Sequence, residues 1–273
     1  MPILQIQGLS FEYPKKPVFQ QVSLNIERGR LFTLLGPNGC GKTTLLHCIL
    51  NSLIPSEGTV LLDGYKITEM KAQEIARKIA YVPQSHRKMF SYTVLDIVLM
   101  GRAAYSAFYS SPKKEDLIIA EEAISAVGMS DFIDKPFIHL SGGESQLVML
   151  ARAIAQQSEM ILLDEPTAHL DSYHEMMVLD KLSELIRENG MTAIMTTHYP
   201  NQAFYFMNKG IRVEGALMKN GAIMLSGPGE EIFTQKAISE LYQIRSKFIE
   251  IKDDEGGSIK QIIPFGLDNG RTE

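Results

Sequence analysis

Apolar and polar residues alternate near the start of the chain. Ile3-Leu4-Gln5-Ile6 and Val22-Ser23-Leu24-Asn25-Ile26, broken by Pro14, Pro17 and Gly29, predict half-buried antiparallel strands in a small sheet. At Leu31-Phe32-Thr33-Leu34-Leu35 the pattern becomes a continuous apolar run, as in a strand covered on both faces. A glycine-rich loop follows, and from Lys42 to Leu53 the residues Leu45, Leu46, Ile49 and Leu53 recur at helical spacing. Strand signals are missing between about 86 and 157, where helix starts stand instead at Thr93 with Asp96, at Ser111 before Pro112, and at Ser141 with Glu144. This stretch reads as an inserted helical subdomain.

The earlier pattern returns with Met160-Ile161-Leu162-Leu163-Asp164, a helix from Ser172 to Glu188 stopped by Asn189-Gly190, and the strand-like Thr192-Ala193-Ile194-Met195-Thr196. Strands alternating with helices imply an α/β fold on a mainly parallel sheet. A last hairpin is expected to pair 247–251 with 259–263 through a turn at 253–257, and the tail from 266 reads as loose. The main domain therefore spans 1–246, and 247–273 form a terminal hairpin and tail.

Composition narrows the function. A chain of 273 residues suits about two domains, or one domain with a large insertion. Lys and Arg number 27 against 32 Asp and Glu, so no basic excess favours a nucleic-acid partner. The only cysteines, Cys40 and Cys48, fit neither a CxxC nor a zinc-finger spacing, which suggests a reducing, cytosolic compartment. The first residues lack a secretory pattern, and no apolar run is long enough to span a bilayer, so work at a membrane would need a partner.

The chemistry is concentrated in three stretches. Gly36-Pro37-Asn38-Gly39-Cys40-Gly41-Lys42-Thr43 fits the phosphate-loop pattern G-x-x-x-x-G-K-S/T between a predicted strand and helix. Glycines let backbone N–H groups turn inward on a triphosphate, the helix start adds partial positive charge, Lys42 reaches the terminal phosphates, and the Thr43 hydroxyl suits Mg²⁺. Cys40 fits as a small loop filler. Leu162-Leu163-Asp164-Glu165 ends a buried strand in two carboxylates, one suited to hold hydrated Mg²⁺ and the other to orient water. Leu140-Ser141-Gly142-Gly143-Glu144 carries a capping box, yet capping does not call for two glycines, whereas backbone approach to a phosphate does.

Taken together and in this order, these stretches resemble the nucleotide-binding subunit of an ABC transporter over nearly the whole chain. The resemblance implies that Gly36 to Thr44 form Walker A, that Asp164 and Glu165 end Walker B, and that Leu140 to Glu144 are the signature motif. It further implies that Gln84 is the Q-loop glutamine touching Mg²⁺ and water, that His169-Leu170-Asp171 is the D-loop, and that His198 senses the γ-phosphate. Tyr13 would stack on adenine, although strand-surface packing explains it equally. His47, His86, His139 and His174 receive no role. Ser145 stands where the family usually carries Arg, Lys or Gln, which is expected to remove a surface contact.

By the same resemblance, two subunits pair head to tail as a homodimer around ATP, with Ser141, Gly142 and Gly143 completing the partner's site. The stretch from Met89 to Arg102, with Phe90 and Tyr92, fits either core packing or a docking groove for a helix of a polytopic membrane permease. It is similar to ATPases of importers for ferric siderophores, haem and cobalamin, with molybdate relatives. An extracytoplasmic substrate-binding protein would then act indirectly, and the subunit would lie on the inner face of the cell membrane. The alternative is a soluble ABC-type ATPase in cluster assembly or another non-transport role.

Overall fold

The computed structural model describes residues 2–14, 16–85, 91–105, 111–252 and 258–268. Phe90, Met89, the start of the expected helical insertion at 86 and the expected turn at 253–257 lie outside them. In chain order the strands and α-helices are β1 (Pro2–Tyr13), β2 (Lys16–Glu27), β3 (Leu31–Leu35), α1 (Lys42–Ile49), β4 (Glu57–Leu62), β5 (Tyr65–Lys66), α2 (Ala72–Lys78) and β6 (Ile79–Val82). Three helices follow, α3 (Val94–Leu99), α4 (Lys114–Ala126) and α5 (Gly142–Ala155), then β7 (Met160–Asp164), α6 (Ser172–Asn189) and β8 (Thr192–Thr197). The chain continues through α7 (Pro200–Asn208), β9 (Val213–Lys219), β10 (Ala222–Pro228), α8 (Gly229–Ile232), α9 (Gln235–Tyr242), β11 (Ile244–Lys252) and β12 (Ser258–Leu267).

Two compact units result: residues 1–69 with 186–273, and residues 70–185. In the first, β2, β1, β4 and β5 form an antiparallel sheet in that order. β1 stops at Tyr13, just before Pro14, whereas β2 runs through Pro17; both reach twelve residues because register shifts, with Gly8 and Gln21 at positive φ, absorb the breaks in alternation. The same unit sets β3 parallel to β8 and to β9, and β10 folds back antiparallel on β9. β3 and β8 are buried at every position, the burial their unbroken apolar runs require.

The second unit pairs β6 parallel with β7, itself wholly buried, and carries α3, α4 and α5 without a strand between them among the described residues. The fold is α/β with mainly parallel core pairings, an antiparallel amino-terminal sheet and a helical insertion.

Several helix ends differ from expectation. α1 stops at Ile49, four residues before Leu53, because Asn51 takes a left-handed φ of 55° and the N–H groups of Asn51 and Ser52 close on Cys48 O and His47 O. α4 starts at Lys114 and not at Ser111, since the Asp116 carboxylate accepts from the Lys113 N–H and fixes Lys113 as the cap. The tail from 266 is not loose at its start: Gly266 and Leu267 pair with Arg245 and Ile244.

Candidate functional site

In the first unit the phosphate loop leaves β3 directly. Gly36 N–H donates to Thr197 O at 3.2 Å, fastening the loop start to the end of β8. A Cβ on Gly36 would meet Met218 O at 2.3 Å, so the loop crosses β9 at a distance only glycine allows. Gly39 and Gly41 have φ of 79° and 111°, conformations that turn successive N–H groups inward and that L side chains avoid. Cys40 is buried, and Gly36 closes around its sulfur. Lys42 opens α1 with its side chain buried, and its Nζ donates to Gly36 O at 2.8 Å and Pro37 O at 3.2 Å. The loop therefore presents N–H groups while its own carbonyls hold the ammonium group.

His198 follows β8 immediately and lies in the same unit. Its ring sits 3.9 Å from that of Tyr199, and its carbonyl accepts from the Tyr242 hydroxyl at 2.8 Å. Tyr13, at the turn end of the β1–β2 hairpin, is 47% exposed and packs its ring edge to face with Phe11 at 5.0 Å. One contact of this ring is structural, and the exposed remainder can take a flat ligand.

The second unit holds the carboxylates. Asp164 ends β7 at 1% exposure, and Glu165, 9% exposed, takes a left-handed φ of 45°, rare for a non-glycine residue. The chain thus turns between the two adjacent acids. Gln84 Nε2 donates to Glu165 Oε2 at 3.1 Å, joining two residues that sequence alone places 81 positions apart. Burial, and after it the charge of Asp164, pushes the Tyr81 phenol up to about 12, so the carboxylate field reaches into the strand.

In the same unit Ser141 caps α5. Its N–H donates to Glu144 Oε2 at 2.6 Å, and Glu144 N–H donates to Ser141 Oγ at 3.2 Å, the reciprocal pair the sequence predicts. That backbone bond, with Lys135 and His174 adding positive charge, holds the Glu144 carboxyl below the usual range. Gly142 has open space at its Cβ position, whereas a Cβ on Gly143 would lie 2.2 Å from His174 Cγ. His174, given no role from sequence, covers Gly143 and is held by Asp171: its N–H donates to Asp171 Oδ1 at 3.0 Å, and its Nδ1 is 2.8 Å from Asp171 Oδ2. Ser145 is no surface residue; it is fully buried, and its hydroxyl donates to Ser141 O at 2.6 Å. A short hydroxyl fits this helix turn where a long basic side chain would have to find a way out.

The described residues include no group of three or more His, Cys, Asp or Glu able to form a protein metal cage. The oxygen donors of Thr43, Asp164 and Gln84 are of the hard type that suits Mg²⁺, an ion usually held by one or two carboxylates together with phosphate.

A phosphate loop closed by glycine-only contacts, two acids at a strand end, and a doubly capped Gly-Gly helix start are the parts of an ATP-binding cassette. The ABC transporter family profile matches residues 19–168. The chain belongs to the ABC transporter family. It is an ATP-binding subunit with ATPase activity. The molybdate import ATP-binding protein MolC of Haemophilus influenzae is 34% identical over 88% of each chain. The ferric enterobactin transport ATP-binding protein FepC of Escherichia coli is 33% identical over 96% of this chain and 94% of that one. Among solved structures, a chain of an ABC transporter assigned to the metal-chelate type, in an inward-facing conformation, superposes with a TM-score of 0.84 at 31% identity, covering 97% of this chain and 98% of that one. No helix among the described residues is long and apolar enough to cross a membrane.

Proposed function

We propose that this chain is the ATPase of a membrane importer for a metal chelate, such as a ferric siderophore, haem or cobalamin, with the molybdate oxyanion in the same group. The observation that carries the reading is that likeness to the metal-chelate transporter chain extends over 97% of the sequence and 98% of that chain. The chain works as a homodimer on the cytoplasmic face, bound to two permease subunits, and an extracytoplasmic binding protein delivers cargo from the other side. No nucleic acid takes part.

The residues divide the work by their chemistry. The N–H groups of Gly36 to Thr44 and the α1 start bind the phosphates, and Lys42 exchanges its loop carbonyls for phosphate oxygens. Thr43, Asp164 and Gln84 are the residues whose oxygens would hold Mg²⁺, which would neutralise phosphate charge. Glu165 accepts a proton from the attacking water, with Gln84 fixing the direction of its carboxylate. His198 faces the γ-phosphate, Tyr13 covers the adenine, and Asp171 with Ser141, Gly142 and Gly143 reaches the partner subunit's nucleotide. Opening of the dimer after hydrolysis drives the permease.

The test is reconstitution in vesicles with a metal-chelate permease and, separately, with a molybdate permease. ATP-dependent uptake of labelled cargo with either supports the reading and selects the cargo. Hydrolysis that neither permease alters, with no uptake, refutes a transport role.

A further inference from the structure

The closing hairpin meets the helix that begins two residues after His198. β11 and β12 form a separate two-stranded sheet, which among the described residues leaves the outer edge of β12 without a strand partner. Such an edge presents paired N–H and C=O groups at every second residue. Lys260 and Ile262 are two apart and share that edge, and α7 answers each with one asparagine. Asn201 Nδ2 donates to Ile262 O at 3.2 Å while its Oδ1 accepts from Ile262 N–H at 2.9 Å. Asn208 Nδ2 donates to Lys260 O at 3.2 Å while its Oδ1 accepts from Lys260 N–H at 3.1 Å. Each amide thus replaces one peptide unit of a neighbouring strand. The two asparagines are seven residues apart, about two helical turns, and so lie on one face of α7.

The helix carries this attachment back to the residue of interest. Thr197, buried, donates its hydroxyl to Gln202 Oε1 at 2.6 Å and accepts from Tyr199 N–H at 3.0 Å, tying both sides of His198 to the first turn of α7. Phe204, on the same helix, packs edge to face with Phe248 of β11 at 5.2 Å. From α9, which leads into β11, Tyr242 donates to the His198 carbonyl at 2.8 Å. His198 is therefore held on its carbonyl by the helix that leads into the terminal hairpin, and on both flanks by α7, which Asn201 and Asn208 fasten to β12.

We infer that the β11–β12 hairpin is a brace that sets the position of His198, with Asn201, Asn208 and Tyr242 as positioning residues for ATP hydrolysis. The inference rests on the reading of His198 as the γ-phosphate-facing residue. A loosened brace would let the imidazole wander in the transition state while leaving the phosphate loop, and hence nucleotide affinity, untouched.

Two variants of the full chain, Tyr242→Phe and Asn201→Ala with Asn208→Ala, test it at a temperature where circular dichroism shows both folded. The expected result is a kcat lower by about three- to tenfold with KM for Mg-ATP within about twofold of wild type. Hydrogen exchange should quicken at Lys260 and Ile262 in the double variant. In a His198→Ala background the residual hydrolysis should fall no further when Tyr242→Phe is added, because a residue acting through His198 has nothing left to position. Wild-type kcat in both variants despite faster exchange overturns the brace, as does an undiminished further loss in the His198→Ala background. If His198→Ala alone keeps wild-type kcat, the reading of His198 falls first and the brace with it; if it is inactive while both brace variants are normal, only the brace fails.

Discussion

Replacing Gly143 by alanine puts a methyl group 2.2 Å from Cγ, 2.4 Å from Cδ2 and 2.7 Å from Nδ1 of His174. No rotation of the methyl relieves this, so the imidazole or the α5 start must move. Moving the ring breaks its Nδ1 bond to the exposed Asp171 carboxylate, and forcing atoms into a filled space costs about 1–3 kcal/mol. Against this, alanine is favoured over glycine in a helix by up to about 1 kcal/mol, less in a first turn. A net loss of about 1–2 kcal/mol follows. Gly142 provides the control, since nothing lies within 4 Å of its Cβ position and its alanine variant should be neutral or slightly stabilised. Urea unfolding at constant m would read both. Removing the ring with His174→Ala should cancel most of the Gly143→Ala loss, a coupling of about 1–2 kcal/mol. Equal midpoints for the two glycine variants, or additive losses for Gly143→Ala and His174→Ala, would refute the reasoning.

Three other outcomes are expected. Glu165→Gln should lower kcat at least about 100-fold and, with ATP, elute from a sizing column as a dimer; a monomer under those conditions contradicts the assigned role. Arg102→Met leaves the buried Asp116 carboxylate without the guanidinium that bonds it at 3.0 Å, and should cost about 3–5 kcal/mol in chemical denaturation. The Arg102 bond, and after it the Lys113 N–H, holds the Asp116 carboxyl below its ordinary 3.8. Its contribution is full above that value and is lost as pH falls below it towards the depressed folded value, so the stability gap between wild type and Asp116→Asn should narrow only in that acid window; a gap unchanged down to pH 2 would contradict it.

What could be read from sequence follows from how local each signal is. The β3 and β7 runs, the phosphate loop and the Ser141–Glu144 cap are contiguous, and their geometry is nearly dictated by the residues in them. Apolar periodicity passes over the β9–β10 hairpin, although Asn220-Gly221 marks its turn: φ of 50° and 77° at these residues is the left-handed pair that asparagine and glycine favour. The same holds for Asp63-Gly64 between β4 and β5. Gly221 is further pinned by Val18 O, 2.4 Å from where its Cβ would lie, a constraint from a strand two hundred residues away that no local pattern carries.

The supporting side chains were hidden for a different reason. Asn201, Asn208, His174 and Tyr242 are polar residues on helices, where solvent exposure explains each one as well as any contact would. Their partners are backbone atoms or a missing Cβ: the edge of β12, the His198 carbonyl, the space above Gly143. Backbone groups are the same at every position and leave no complementary letter in the sequence to pair with. A charge partner such as Asp116 for Arg102 can be guessed from opposite signs, but an amide that stands in for a strand cannot. The residues proposed to bind phosphate are therefore legible from the chain alone, while those that hold them in place become visible only when the backbone they grip has been folded.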